Sequence, residues 1–402
     1  MTVSPSPAPA LQGAQRVFFE FFAGGGMARA GLKGWRCDFA NDFDPMKAAV
    51  YAANWGDDHL VCGDVAKVQP SQLPGRADLV WGSFPCQDLS LAGLNKGLGA
   101  RNDNEHTRSG SFWPFWSLIT ALKAEGRAPR TLILENVYGA LTSNQGRDFA
   151  AICDAIAEAG YRFGAMVIDA RRFVAQSRPR LFIVAVEETV VVPDATIRPT
   201  PEAAWTPVRL QAAIDGLPLA ARERHVWWAL PVPVEAPPLL SDQIEEEPTD
   251  VPWHTPTETL KLLAMMSPLH RAKVKAAQAL GRRVVGGVYR RTRPDARGQK
   301  VQRAEVRFDE VAGCLRTPAG GSSRQIILVV EGDRVRSRLL SGREAARLMG
   351  LDDDYVLPAR YNDAYHVAGD GVVAPVVTHL ARTLIEPILT WDDVASAKIA
   401  AE

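Results

Sequence analysis

The chain has 402 residues, and its 46 Lys and Arg balance 46 Asp and Glu to a formal net charge of zero. That length suits one large or two modest domains, and a composition of 47% hydrophobic against 23% charged residues excludes global disorder and supplies a sizeable core. No stretch approaches the roughly 20 consecutive apolar residues that cross a bilayer, and the Pro/Ser/Ala-rich start lacks the pattern of a signal peptide, so a cytoplasmic protein without a membrane partner is expected.

Residues 1–15 read as a flexible extension. From Arg16 onward, short apolar runs alternate with helical patterns: 17–23 then 27–32, 36–41 then 45–54, followed by apolar runs at 78–84 and 131–136. Strands alternating with helices imply right-handed crossovers and a mainly parallel sheet covered on both faces, the α/β class. A glycine-ended helix at 150–160 precedes another β-like run at 180–186. From about Val191 prolines recur, Trp227 and Trp228 stand in tandem, and the acidic, proline-containing stretch 235–250 reads as exposed loop, so residues 188–335 form a separate module in this reading. The αβ pattern returns after residue 336. In 339–350, Ser341 is placed to cap a helix, with Glu344 three residues on and Gly350 as the stop signal. A Gly-Asp-Gly turn at Gly369-Asp370-Gly371 then opens an apolar helix over 369–387.

Charge is strongly partitioned despite the neutral total. Residues 261–343 hold 19 Lys and Arg against six Asp and Glu, which is either the footprint of a polyanionic partner or a solvated face. The five cysteines (Cys37, Cys62, Cys86, Cys153, Cys314) are scattered, with no pair or His cluster at zinc spacing, so neither a disulfide framework nor a metal is expected.

Several motifs carry candidate chemistry. The run Glu20-Phe21-Phe22-Ala23-Gly24-Gly25-Gly26-Met27 leads from a strand through a glycine turn into a helix, where doubly wound sheets bind cofactors; a ligand-free turn has the same pattern. Asn41-Asp42-Phe43-Asp44 ends the second strand with an acid suited to a ribose diol, and Asp64 ends a third, although strand-end carboxylates are also common on surfaces. In Ser83-Phe84-Pro85-Cys86-Gln87-Asp88-Leu89-Ser90 a cysteine follows a strand and a proline, which suits a nucleophile or an inert buried thiol. Glu135 closes the apolar strand 131–136, and an unpaired carboxyl group costs several kcal/mol to bury, so a proton- or hydrogen-bond-donating role follows. In Gln176-Ser177-Arg178-Pro179-Arg180, period-two alternation points Arg178 and Arg180 the same way, toward one oxygen-rich ligand or toward solvent.

The order of these motifs resembles that of the bacterial DNA (cytosine-5)-methyltransferases. FFAGGG, NDFD, GDV, SFPCQDLS, RSGSFW, ENV, QSRPR, REAARLMG and GDGVVAPVV carry the resemblance over residues 16–187 and 335–387. It implies a Rossmann-like S-adenosylmethionine-dependent methyltransferase fold with an inserted smaller target-recognition domain. The division would be a catalytic and cofactor-binding domain at 16–187, target recognition at 188–335, and returning catalytic-domain helices at 336–402. The resemblance sets Phe22, Gly24 and Gly26 along the cofactor, Asp42 on the ribose, Phe43 on adenine, Asp64 and Val65 at the adenine edge, and Pro85, Ser111 and Asp370 at the cofactor's border. Cys86 would be the nucleophile, Glu135 the acid at cytosine N3, and Arg178 with Arg180 the pair that organises the site.

Thr317 would contact a phosphate beside an extruded nucleotide, and Arg290, Arg291 and Arg293, with Tyr289 among them, would face the DNA. Glu20, Met27 and Asp370 stand where that family commonly has Asp, Gly and Asn, the last adding a carboxylate near the methionine moiety. The expected partner is double-stranded DNA, with the enzyme monomeric and either paired with a cognate restriction endonuclease or solitary. An RNA cytosine-5-methyltransferase, a non-catalytic DNA-binding regulator and a glycine-turn oxidoreductase are the competing readings. The last gives no account of PCQ, ENV and QSRPR together.

Overall fold

The computed structural model describes residues 15–85, 109–294, 298–316 and 324–401. Strands β1 (Val17–Phe21), β2 (Arg36–Asp42), β3 (Leu60–Cys62), β4 (Leu79–Gly82) and β5 (Thr131–Val137) pair in parallel, with helices α1 (Met27–Gly31), α2 (Pro45–Trp55) and α3 (Phe112–Ala124) in the crossovers. Helix α4 (Arg147–Glu158) leads to β6 (Tyr161–Asp169) and β7 (Pro179–Glu187), and the seven-stranded order is β3-β2-β1-β4-β5-β7-β6 with β7 antiparallel to both neighbours. Alternate residues of one strand enter opposite cores: Phe18 and Ile133 pack on one face, Phe19 and Leu132 on the other. Burial on both faces is why these strands read as continuous apolar runs.

Strand β6 is absent from the sequence reading. It has no polar alternation, and Gly164 interrupts it where a side chain would collide with the Val226 carbonyl and the Trp228 indole. A glycine inside a strand here marks close backbone approach rather than a break. The approaching segment belongs to residues expected in the insert. It comprises β8 (Ile197–Arg198), α5 (Val208–Asp215), α6 (Leu219–Arg224) and β9 (Trp227–Trp228). Trp205 and Trp228 join the core on one face of the large sheet, and Leu210, Ile214 and Ala221 the other.

A second sheet follows. After α7 (Leu240–Gln243), α8 (Pro256–Ala264) and α9 (Pro268–Ala279) come β10 (Arg283–Pro294), β11 (Lys300–Arg307), β12 (Ile326–Glu331) and β13 (Arg334–Leu339), antiparallel in the order β11-β10-β12-β13. Leu262 and Val274 of the helices, with Met266 between them, pack on Val284, Val288, Ala304 and Leu328 in a core of their own, while Val285, Ile327 and Val329 join a core of the large sheet. The distinct module thus begins near residue 256 rather than 188. The acidic stretch 235–250 is not simply exposed loop, since Leu240 and Ile244 are buried and anchor it.

The chain returns through α10 (Gly342–Arg347), capped reciprocally as its sequence implies: Ser341 Oγ accepts from Glu344 N at 3.0 Å and Glu344 Oε2 from Ser341 N at 2.7 Å. Helices α11 (Tyr361–Asp370), α12 (Ala374–Leu380) and α13 (Glu386–Ala401) close the fold. The expected helix over 369–387 is divided, because Asp370 ends α11 and the chain is extended at Gly371. The helical run 361–401 is long and apolar enough to cross a membrane, yet Leu384, Ile385, Ile388 and Leu389 are fully buried in the core.

Candidate active site

The carboxyl ends of β1, β2, β4 and β5 gather the candidate residues along one sheet edge. After β1 the backbone turns through positive φ at Phe22, Gly24 and Gly26. Side chains on Gly25 and Gly26 would collide with Tyr355 and Trp55, both of which donate to the Gly25 carbonyl, at 2.7 and 3.2 Å. The turn is therefore glycine by necessity, and the strained φ of Phe22 lies at its entrance.

Asp42 holds this turn to β2. Its two carboxylate oxygens accept from Gly24 N at 2.7 Å and Asp44 N at 2.8 Å. Each oxygen retains acceptor capacity for a hydroxyl. Burial pushes the Asp42 pKa up, opposed by those two N–H groups and by Lys47. The adjacent Phe43 ring is 74% exposed, which is unusual for an aromatic side chain and leaves a flat apolar face beside Asp42. Asp64 caps the short helical turn Val65–Lys67 by accepting from Ala66 N at 3.0 Å, and Val65 is buried. Ser111 precedes α3, whose Phe115 packs against Phe21 and Phe22. An exposed aromatic, a buried acid and a side-chain-free turn fit a nucleoside with a short polar tail.

The unusual acid of the terminal turn has a partner. Asp370 pairs with Lys47 of α2 at 2.6 Å, so its carboxylate adds no isolated charge near the pocket. Lys47 gives no local sequence signal, because it meets Asp370 only when α2 and α11 pack together.

The described residues after β4 end at Pro85, and Cys86 lies just beyond them, outside the described residues, as does Thr317. Asn136 donates to the Phe84 carbonyl at 3.1 Å, which holds the segment leading into Cys86 against the end of β5. The neighbouring Glu135 is buried and receives Arg180 Nε at 3.2 Å from β7. A carboxyl group, a guanidinium and the chain leading into a thiol thus converge beside the glycine turn.

The two arginines diverge in role. Arg178 is almost wholly buried, and it donates to the carbonyls of Leu315 at 2.9 Å, Gly369 at 2.8 Å and Gly371 at 2.9 Å. These contacts clamp the segment after β11 and the terminal turn to the start of β7. Both guanidiniums still reach one atom, the Cys314 sulfur, but their other partners differ, because alternation predicts only the starting direction of a side chain and long side chains turn toward the nearest unpaired carbonyls. Gln176, also buried, ties Leu348 and Leu315 together through its amide.

Part of the basic excess is likewise structural. Arg338 is fully buried against Glu344, Arg283 reaches toward the carbonyls of Ser241 and Ile244, and Arg307 pairs with Asp309. Arg290 and Arg291 on β10 and Arg303 on β11 are exposed, while the side chain of Arg293 lies outside the described set. Arg291 stands directly opposite Arg303, a like-charge pairing that costs stability unless an anion or acid intervenes. Glu305 lies 3.5 Å from Arg291 and offsets part of it.

The profile of the family described as C-5 cytosine-specific DNA methylase matches residues 17–386 of this chain. The chain is 26% identical over 361 residues to the Type II methyltransferase M.NgoBI of Neisseria gonorrhoeae, covering 89% of each. It is 24% identical over 392 residues to the Type II methyltransferase M.HpaII of Haemophilus parainfluenzae, covering 92% of this chain and 89% of that one. Among solved structures, it is similar to S. pombe Dnmt2 methyltransferase, with a TM-score of 0.57 at 14% identity over 93% of this chain and 99% of the other. A putative DNA modification methyltransferase encoded within an E. coli prophage gives 0.53 at 15% identity, over 94% and 99%.

Proposed function

Because this chain belongs to the C-5 cytosine-specific DNA methylase family, and is thus a DNA (cytosine-5)-methyltransferase, we propose that Cys86, Glu135 and Arg180 perform the reaction on a cytosine turned out of the duplex. C5 of cytosine is a poor nucleophile and is stacked within DNA, so the base must be extruded and its ring made electron-rich. The Cys86 thiolate adds to C6, the C5–C6 π electrons move to C5, and Glu135 stabilises the proton at N3. When bound, S-adenosylmethionine supplies the electrophilic methyl group that C5 takes. Removal of the C5 proton then restores the double bond and expels the thiolate. Arg180 orients Glu135 and offers its guanidinium to cytosine O2, and Arg178 keeps the surrounding segments in place.

Phe22, Gly24, Gly26, Asp42, Phe43, Asp64, Val65, Pro85, Ser111 and Asp370 border the cofactor in this reading. The exposed Phe43 ring stacks on adenine, while Asp42 has spare acceptor capacity for the ribose. The module from residue 256 to 339 carries target recognition, with Arg290, Arg291 and Arg293 toward the DNA and Thr317 at a phosphate. The enzyme works as a monomer on cytoplasmic DNA, either alongside a cognate restriction endonuclease, as the Type II names of its relatives suggest, or alone.

The observation that carries this reading is the Arg180–Glu135 contact at 3.2 Å, beside the Asn136 bond that holds Phe84, two residues before Cys86. A duplex with 5-fluorocytosine at the target, found by sequencing the methylated DNA, tests it. The fluorine cannot leave as a proton does, so the enzyme is expected to be trapped covalently through Cys86. Turnover of that duplex without a trapped adduct, or methyl transfer by the Cys86→Ala variant, overturns the assignment. Transfer RNA serves as the competing substrate, and preferential methylation of it would reassign the polynucleotide.

A further inference from the structure

Cys314 follows β11 in the second module, yet its sulfur lies between the two arginines at the edge of the large sheet. Its Sγ is 3.4 Å from Arg178 Nη1 and 3.8 Å from Arg180 Nη2. The loop has little freedom to move that sulfur. Ala312 N donates to the Ala175 carbonyl at 2.8 Å, and Ser177 N donates back to the Ala312 carbonyl at 2.9 Å. Leu315 N donates to the Gln176 side chain at 2.9 Å, while Arg178 holds the Leu315 carbonyl. On the other side Gly313 lies against Tyr289, whose ring leaves no room for a side chain there. Residues 312–315 are thus laced to 175–178, and the sulfur is held in register with the arginine pair.

The electrostatics give that register a consequence. Arg178 is buried beside a second guanidinium of the same charge, and both burial and Arg180 disfavour its cationic form. A polarizable group with anionic character between the two relieves the repulsion and gives Arg180 a fixed acceptor at Nη2 while Nε meets Glu135. Burial pushes the Cys314 thiol up, but Arg178, Arg180 and Arg316 outweigh it, so the thiol ionises below the ordinary cysteine range.

We propose that Cys314 is a positioning residue for methyl transfer, its sulfur fixing the Arg180 guanidinium in the orientation that sets Nε 3.2 Å from Glu135. The proposal rests on the roles assigned above to Arg180 and Glu135. It makes the segment after β11 of the recognition module part of the catalytic geometry, since the sulfur arrives only when residues 312–315 are docked.

The test measures single-turnover methylation of duplex DNA, DNA affinity and thermal stability for the full-length enzyme and for C314A, C314S and C314D. Loss of the sulfur is expected to lower the methylation rate about tenfold to a hundredfold with DNA affinity unchanged, the scale of a small displacement of a catalytic group. C314D restores an anion and should exceed C314S, which restores size without charge. The rate ratio of parent to C314A should rise with pH, because the sulfur holds Arg180 most strongly when ionised; a packing role predicts a flat ratio. A C314A rate equal to the parent's, a loss confined to DNA affinity, C314S outperforming C314D, or a flat ratio overturns the proposal. If C314A does not fold, C314S and C314D carry the same comparison. An unsubstituted enzyme that transfers no methyl group overturns the underlying reading as well, which distinguishes the two failures.

Discussion

Replacing Arg338 by Met should be among the most destabilising single substitutions in this chain. Its guanidinium is completely buried, donating to Glu344 at 2.8 and 2.6 Å, to the Leu339 carbonyl at 3.1 Å and to the Glu245 carbonyl at 2.6 Å. Glu344 in turn accepts from the backbone N–H groups of Ser341 and Glu245, at 2.7 and 2.8 Å. Without Arg338 these two N–H groups alone face a carboxylate that water cannot reach, and breaking such a pair from one side costs about 3–5 kcal/mol. Removing both charges in R338M/E344M leaves no orphaned ion. Its cost should fall to about 1–2 kcal/mol, chiefly the lost capping of α10. Urea titration followed by tryptophan fluorescence measures this, since the Trp253 ring lies 4.9 Å from the Arg338 guanidinium. Because the pair joins β13 to α10, R338M should also impair methylation more than cofactor binding. A single substitution costing under about 1 kcal/mol, or a double variant as unstable as the two singles summed, would refute the reasoning.

Other expectations concern the pocket and the DNA surface. Burial raises the Glu20 pKa to about 8, against the pull of Arg29. Its folded pKa therefore exceeds the unfolded value, and the protein loses stability as pH rises from about 4.5 to about 8. Glu20→Gln should match the parent in urea titrations at pH 4 and surpass it at pH 9; equal stability at pH 9 would contradict the shift. Asp42→Ala removes the acceptor for Gly24 N and Asp44 N, so calorimetry should show cofactor affinity reduced by about tenfold or more, the equivalent of roughly 1–3 kcal/mol. Unchanged affinity would show that the turn holds without it. Arg291→Ala and Arg303→Ala should each lower the slope of log K for DNA against log salt by about one. Slopes equal to the parent's would remove these side chains from the DNA surface.

The order of strands and glycine turns was legible because each signal is local. An apolar run buried on both faces, the glycine run that turns through positive φ at Gly24 and Gly26, and the Ser341–Glu344 cap each lie within a few residues of chain. The acids at the strand ends were legible for the same reason. Strand β6 was not, because Gly164 reads as a break until the Trp228 segment is seen packing on it. The prolines after Val191 read as the start of a separate module, but they describe the local backbone and say nothing of which core Trp205 and Leu210 enter.

Local sequence thus determined the sheet edge and the kinds of group on it, through backbone geometry and the cost of burying charge. Tertiary packing decided what each group does there. It turned Arg178 into a clamp and Arg180 toward Glu135, gave Asp370 its Lys47, and brought Cys314 from the second module into the arginine pair. Those partners lie far apart in sequence, and a charged side chain's role follows from the groups that surround it once water has been excluded.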